Sequence, residues 1–190
     1  MNRDANPEYP IHELLARRHS PYAFDPERPV SPADIAALFE AVRWTMSSYN
    51  AQPWRFIVGV KGEGAIYEKI LACLVEGNQP WAANAPVLAL GLVKTTFEHN
   101  GKPNASAEHD LGAASAMLTV EATARDLAVH QMAGVELEKV VQAFTLPENV
   151  RPLTALAIGY AGEPHHVPDA YAQRDAAPRQ RMQQTEFILP

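Results

Sequence analysis

The sequence predicts one domain in which helices and strands interleave, without the regular spacing of repeated βαβ units. Its 190 residues are 47% hydrophobic and 20% charged, a composition typical of a globular domain with a sizeable core. Apolar runs typical of strands are separated by helical patterns at irregular intervals, and no internal repeat or interdomain linker is visible. We therefore expect a single domain over residues 1–190.

The first elements are predicted mainly from the residues at their ends. A helical pattern over residues 9–18 ends in two arginines, and the proline-broken stretch after it predicts an extended connection. Ser31 can cap the next helix, and Pro32 suits the first position inside it. The stretch SSYNAQPW, residues 47–54, then leads into a predicted strand over residues 55–60.

Helices and strands continue to alternate in the rest of the chain. The run APVLALGLV is apolar throughout, which indicates a strand buried on both faces. Cys73 lies among apolar helical positions and is expected to be buried, and Asp110 is expected to be the N-cap of a long alanine-rich helix. The predicted elements are a helix at 63–77, a strand at 85–93, a helix at 111–129, a turn at 130–134, a helix at 135–144 and a strand at 153–164.

Composition argues against several functional classes. A net charge of -6 is not the basic footprint of a nucleic-acid binder, and a single cysteine permits neither an intrachain disulfide nor a cysteine-rich zinc site. The seven histidines form no metal-ligand spacing, so we expect no metal. No signal-peptide pattern is visible, and no apolar stretch reaches the ~18 residues of a membrane span. A cytoplasmic protein without membrane or nucleic-acid partners is expected.

Two basic clusters and one polar stretch are the candidates for a binding site. Each cluster, ARRHS near the N-terminus and PRQRM near the C-terminus, is by itself more typical of a solvated patch. Together they could converge on one phosphate, because arginine presents a forked set of donors that matches phosphate oxygens. The stretch SSYNAQPW could be turn chemistry or the rim of a site for a planar polar ligand. The glycines of VKGEGAIYE lack the rest of a dinucleotide motif and indicate a strand-to-helix turn.

The order of these segments resembles the FMN-dependent nitroreductase family. ARRHSPYAFD, SSYNAQPWRFIV, HDLGAA, LAIGYAGEP and a basic tail follow one another over nearly the whole chain, and SSxNxQPW after a helix is the most specific of them. The resemblance implies an α+β fold with a central, mainly antiparallel sheet flanked by helices. It also implies an intertwined homodimer with one FMN at each subunit interface.

The resemblance also implies which residues bind FMN. In this family the RHS segment contacts the phosphate and ribityl side, the SSxNxQPW segment lies along the ribityl chain and ring, often across the dimer, and the basic tail adds a phosphate contact. The turn after the long helix runs along the N5 edge of the flavin. The implied cofactor-binding residues are Arg17, Arg18, His19, Ser20, Ser47, Ser48, Asn50, Gln52, Met132, Ala133, Gly134, Arg179 and Arg181. This chain has Tyr22 where the family often has a basic residue, so one phosphate-directed charge is missing.

The activity that the resemblance implies is a ping-pong hydride transfer. NAD(P)H would reduce FMN, and an electron-poor acceptor such as a nitroaromatic or quinone would then take its place on the same face. No side chain need act as an essential acid or base, so no catalytic residue is predicted. Three alternatives stay open: a specialised dehydrogenase, dehalogenase or flavin-fragmenting enzyme of the same superfamily, a non-catalytic flavin-binding module, and a structural dimer without flavin.

Overall fold

The computed structural model describes residues 4–189, which form eight α-helices and four strands. In chain order the elements are α1 (Glu13–Arg17), α2 (Pro32–Arg43), β1 (Trp54–Val60), α3 (Ile66–Ala72), α4 (Gln79–Ala82), β2 (Val87–Lys94), α5 (Ala107–Ala124), β3 (Ala128–Met132), α6 (Leu137–Ala143), β4 (Val150–Gly159), α7 (Asp169–Ala176) and α8 (Gln184–Phe187). Short 3-10 turns lie at Ser48–Asn50 and Pro164–His166. This is the α+β architecture that the resemblance implied.

The four strands form one antiparallel sheet in the order β1-β2-β4-β3. β2 lies inside the sheet and is buried along nearly its whole length, as its unbroken apolar pattern predicts. β3 was not predicted. The sequence pattern assigned its first residues to the preceding helix and His130–Gly134 to a turn, whereas Ala128–Met132 pairs with β4 at the sheet edge. The helix ends earlier because Asp126, at a φ of 58°, turns the chain into the strand.

Each face of the sheet carries its own hydrophobic core. α5 and α2 cover one face, where Leu38, Leu111 and Leu118 are fully or almost fully buried. α3 and α4 cover the other face, where Trp81 and Tyr67 are buried with Cys73. The burial predicted for Cys73 is therefore confirmed. The long α5 passes across the sheet and positions residues at both of its ends.

Helix termini show where local sequence signals succeed and fail. The Ser31 hydroxyl accepts a hydrogen bond from the Asp34 amide at 3.0 Å, and Pro32 opens α2, as predicted. The glycines after β1 form the expected turn into α3, with φ of 81° at Gly62. The N-cap prediction for Asp110 is wrong, because α5 begins a turn earlier at Ala107 and Asp110 lies within it.

Candidate functional site

The two basic clusters from opposite ends of the chain meet in one cavity of about 530 Å³, the arginine cavity. Arg18, together with His19 and Ser20, contributes one wall, and Arg179 and Arg181 contribute another. Arg179 joins the C-terminal tail to the N-terminal segment by donating a hydrogen bond to the Ala16 carbonyl oxygen at 2.9 Å. The convergence that the sequence left open is thus present within a single chain.

The arginines of this cavity are close enough to disfavour one another's charge. Burial lowers the pKa of Arg18, and the positive charges of Arg179 and Arg181 lower it further. Burial and the charge of Arg181 also lower the pKa of Arg179, although the carboxylate of Asp4 opposes this effect. An anion placed among these groups relieves their repulsion, and the guanidinium donors and the Ser20 hydroxyl are the groups that bind phosphate oxygens.

The segment that carries Arg18 to Ser20 is fixed from two sides. The carboxylate of Asp175, on α7, accepts hydrogen bonds from the Tyr22 amide at 3.0 and 3.1 Å and from the Ala23 amide at 2.9 Å. His130 Nδ1 lies 2.8 Å from the Pro21 carbonyl oxygen, and since a carbonyl only accepts, that nitrogen carries the proton. Neither residue was predicted, because both act through backbone contacts that leave no local sequence motif.

Arg17 and His19 have partners of their own around this segment. The Arg17 guanidinium donates to the Thr123 carbonyl oxygen at 3.3 Å and to Asp126 at 3.4 Å, and it lines a neighbouring cavity of about 440 Å³. His19 lines both cavities, with its Nδ1 3.1 Å from the Arg17 carbonyl oxygen. Of the four consecutive residues predicted together, Arg17 lines only the smaller cavity and Ser20 only the larger one, while the two between them line both.

The segment SSYNAQPW forms a strained loop at the start of β1. Tyr49, Asn50 and Gln52 all adopt positive φ, at 52°, 52° and 46°. Left-handed backbone costs about 1–2 kcal/mol for an ordinary residue, and such strain often marks functional sites. The buried carboxylate of Asp110 holds this loop by accepting a hydrogen bond from the Ser48 amide at 3.1 Å.

Hydrogen bonds inside the loop use the polar side chains that the sequence singled out. The Ser47 hydroxyl accepts from the Gln52 amide at 3.0 Å, and the Gln52 side-chain amide donates to Asn50 Oδ1 at 3.2 Å. Trp54, the last residue of the stretch, is buried at 8% exposure and belongs to the core on the α5 side of the sheet. The loop thus combines turn chemistry with a preformed polar surface, so the two interpretations of this stretch are compatible.

Met132, Ala133 and Gly134 lie at the end of β3. Met132 is buried, and the Gly134 carbonyl oxygen accepts hydrogen bonds from the amide of Val75 and from the side chain of Asn78, both at 3.1 Å. A Cβ on Gly134 would lie 2.4 Å from Asn78 Nδ2, so this glycine allows the backbone to pack directly against the Asn78 side chain.

The segment of residues 17–20 and the strained loop lie near opposite ends of α5. Asp110, in the first turn, holds the loop, and Thr123, near the other end, accepts the hydrogen bond from Arg17. At the helical rise of roughly 1.5 Å per residue, these two positions are about 20 Å apart. Neither cavity is lined by residues 47–52 or 132–134. One chain therefore brings together part of the predicted set, namely the RHS segment and the basic tail, and places the rest elsewhere.

Within residues 4–189, no three His, Cys, Asp or Glu side chains are placed to hold a metal ion. In the same range, no helix combines the length and apolar character needed to cross a bilayer.

The structure is an α+β domain with a cavity lined by arginines from both ends of the chain. The sequence profile described as "Nitroreductase family" matches residues 15–160, and the chain belongs to that family. The named relatives of this chain include oxidoreductases. One is the major NAD(P)H-flavin oxidoreductase of Aliivibrio fischeri, 46% identical over 50 residues, which are 26% of this chain and 23% of that protein.

Two further similarities extend over more of the chain. A 15.4 kDa protein of Mycolicibacterium smegmatis, named as uncharacterized and encoded in the ask 5′ region, is 35% identical over 139 residues, which are 67% of this chain and 89% of that protein. A solved structure described as an oxidoreductase containing FMN superposes with a TM-score of 0.91 at 31% identity, covering 100% of this chain and 95% of the other.

Proposed function

We propose that this chain is an NAD(P)H-dependent FMN oxidoreductase that passes a hydride to an electron-poor acceptor, such as a nitroaromatic or quinone, in a ping-pong cycle. The observation that carries the proposal is the convergence of Arg18, Arg179 and Arg181 beside Ser20 in one cavity. Membership of the nitroreductase family and similarity to an FMN-containing oxidoreductase support the same cofactor.

The residues present fit FMN on chemical grounds. The cavity offers guanidinium and hydroxyl donors to a phosphate, and the relief of arginine repulsion would favour a bound anion. Asp175 and His130 hold the segment that carries Arg18, so these donors are already ordered before binding. When bound, FMN supplies the hydride-transfer chemistry, and the protein's part is to bind and orient it.

We further propose that each flavin site is shared between two subunits of a homodimer. The loop with Ser47, Ser48, Asn50 and Gln52 lies roughly 20 Å along α5 from the arginine side, as helical geometry requires. A two-fold partner would bring its own loop to the arginine cavity, because a two-fold interface joins the same surfaces in both directions. In this arrangement Asn50 and Gln52 would face the flavin ring while Arg18 and Arg181 bind the phosphate of the same molecule.

Exposed apolar surface supports the dimer. Large apolar side chains are exposed at both ends of the chain, including Leu15 at 48%, Phe187 at 56% and Leu189 at 80%. On α5, Met117 is 40% exposed. Large exposed apolar side chains are common at interaction surfaces. A partner packed along α5 would cover Met117.

A visible spectrum of purified protein, before and after anaerobic NADH or NADPH, tests the proposed activity. We expect a yellow protein whose released flavin is FMN and whose absorbance bleaches with at least one reductant. Protein that neither carries FMN nor binds added FMN would contradict the proposal. Binding without reduction would instead indicate a flavin-binding module, and reduction without turnover of nitroaromatics or quinones would indicate a specialised member of the superfamily. The cytoplasmic location stays a prediction.

A further inference from the structure

Arg174, on α7, lines the same cavity as Arg18, Arg179 and Arg181. Its guanidinium carbon lies 5.8 Å from the centre of the Tyr22 ring and 5.5 Å from that of Tyr171. Among residues 4–189, no carboxylate forms an ion pair with it. The charge of Arg174 is thus oriented by two aromatic faces and remains available to a ligand in the cavity.

Arg174 changes the net charge of the side chains that line the cavity. Four arginines and two aspartates line it, which leaves two positive charges at neutral pH. Without Arg174 only one would remain. A phosphate monoester carries a charge of about -1.5 to -2 at pH 7, so the full set matches it and the reduced set does not.

Tyr22 and Arg174 occupy this cavity together. Tyr22 stands where the resemblance leads one to expect a basic side chain, and its ring also contacts Trp81 edge-on at 5.1 Å between centroids. The ring is therefore fixed by the core, and it supports the guanidinium from α7. The neighbouring Asp175 ties α7 to the backbone of residues 22 and 23, which keeps Arg174 beside the cavity.

We propose that Arg174 is a phosphate-binding residue of this chain, which supplies from α7 the charge that Tyr22 lacks. The inference rests on the proposed FMN site and names one further residue of it. Arg174 acts on the phosphate alone, because it lines the same cavity as the other arginines and the strained loop does not line that cavity.

The test compares FMN with riboflavin, which is the same molecule without the phosphate. Dissociation constants for both would be measured by flavin fluorescence for the wild type and for Arg174→Gln. Arg28→Gln is the matched control, because Arg28 also lies over a tyrosine ring, 3.3 Å from the centre of Tyr160, but lines neither cavity. Thermal unfolding of each variant without flavin checks that the fold is retained.

We expect Arg174→Gln to bind FMN about tenfold more weakly, as the loss of one charge-assisted contact implies, and riboflavin unchanged. Arg174→Lys should retain part of the FMN affinity, and Arg28→Gln should retain all of it. Equal weakening of FMN and riboflavin, or no weakening of either, would overturn the role of Arg174. Failure of the wild type to bind FMN would instead contradict the proposed function itself, so the two failures are distinguishable.

Discussion

Replacement of Asp110 by alanine should loosen the strained loop at the proposed ring side of the flavin. The buried carboxylate accepts a hydrogen bond from the Ser48 amide at 3.1 Å, and a bond of this kind to a charged group contributes about 1.5–3 kcal/mol. The positive φ angles of Tyr49 and Gln52 together cost about 2–4 kcal/mol. The free energy of the Asp110 hydrogen bond and the cost of the strained backbone are of similar size, so loss of the hydrogen bond allows the loop to relax.

We expect Asp110→Ala to lower the free energy of unfolding by about 2 kcal/mol and to weaken flavin binding by roughly tenfold or more. Urea denaturation and flavin fluorescence measure the two effects. FMN and riboflavin should be affected alike, because the loop lies away from the arginine cavity. Glu108→Ala is the control, since Glu108 is on the same helical turn but is exposed and pairs with Arg151. Unchanged affinity for both flavins in Asp110→Ala would refute the assignment of this loop to the site.

Two further predictions concern residues around the sheet edge. Burial lowers the pKa of His130, although the Pro21 carbonyl and the charge of Asp175 oppose the shift, so the unfolded chain binds a proton that the folded chain excludes. The free energy of unfolding should therefore fall as pH decreases below the ordinary histidine pKa of about 6.5. In urea denaturation between about pH 7.5 and 5.5, His130→Gln should lose less of this free energy than the wild type. An identical loss in the wild type and the variant would contradict this prediction. Gly134→Ala should destabilise the protein by about 1–3 kcal/mol, because the new Cβ would lie 2.4 Å from Asn78 Nδ2. Gly77→Ala, where a Cβ meets nothing within 4 Å, is the matched control, and equal melting temperatures of the two variants would refute the packing argument.

Local signals in the sequence were sufficient for several elements. The Ser31 cap with Pro32 defined the start of α2, and the unbroken apolar run defined β2, because both depend on neighbours along the chain. β3 was missed for the same reason. No glycine or proline separates β3 from the alanine-rich helix before it. The boundary is made by the left-handed backbone of Asp126, which aspartate adopts at small cost.

The sequence identified several residues of the candidate site but not the contacts that bring them together. Arg18 and Arg181 were found from the clusters that contain them, but their meeting depends on contacts such as that between Arg179 and the Ala16 carbonyl, 163 positions apart. Arg174 and Asp175 carry no motif, and only the fold of α7 places them beside the cavity. Asp110 looked like a helix cap because its real partner, the Ser48 amide, is distant in sequence.

A mixed dimer tests the shared flavin site most directly. One subunit would carry Arg18→Gln with Arg181→Gln, its partner would carry Asp110→Ala, and different affinity tags would isolate the mixed species. If each site takes its arginines from one subunit and its loop from the other, one site of the mixed dimer holds all the defects and the second is intact. We therefore expect about half of the sites to bind FMN with wild-type affinity, whereas both parent dimers bind weakly. A mixed dimer in which no site reaches wild-type affinity would contradict the account.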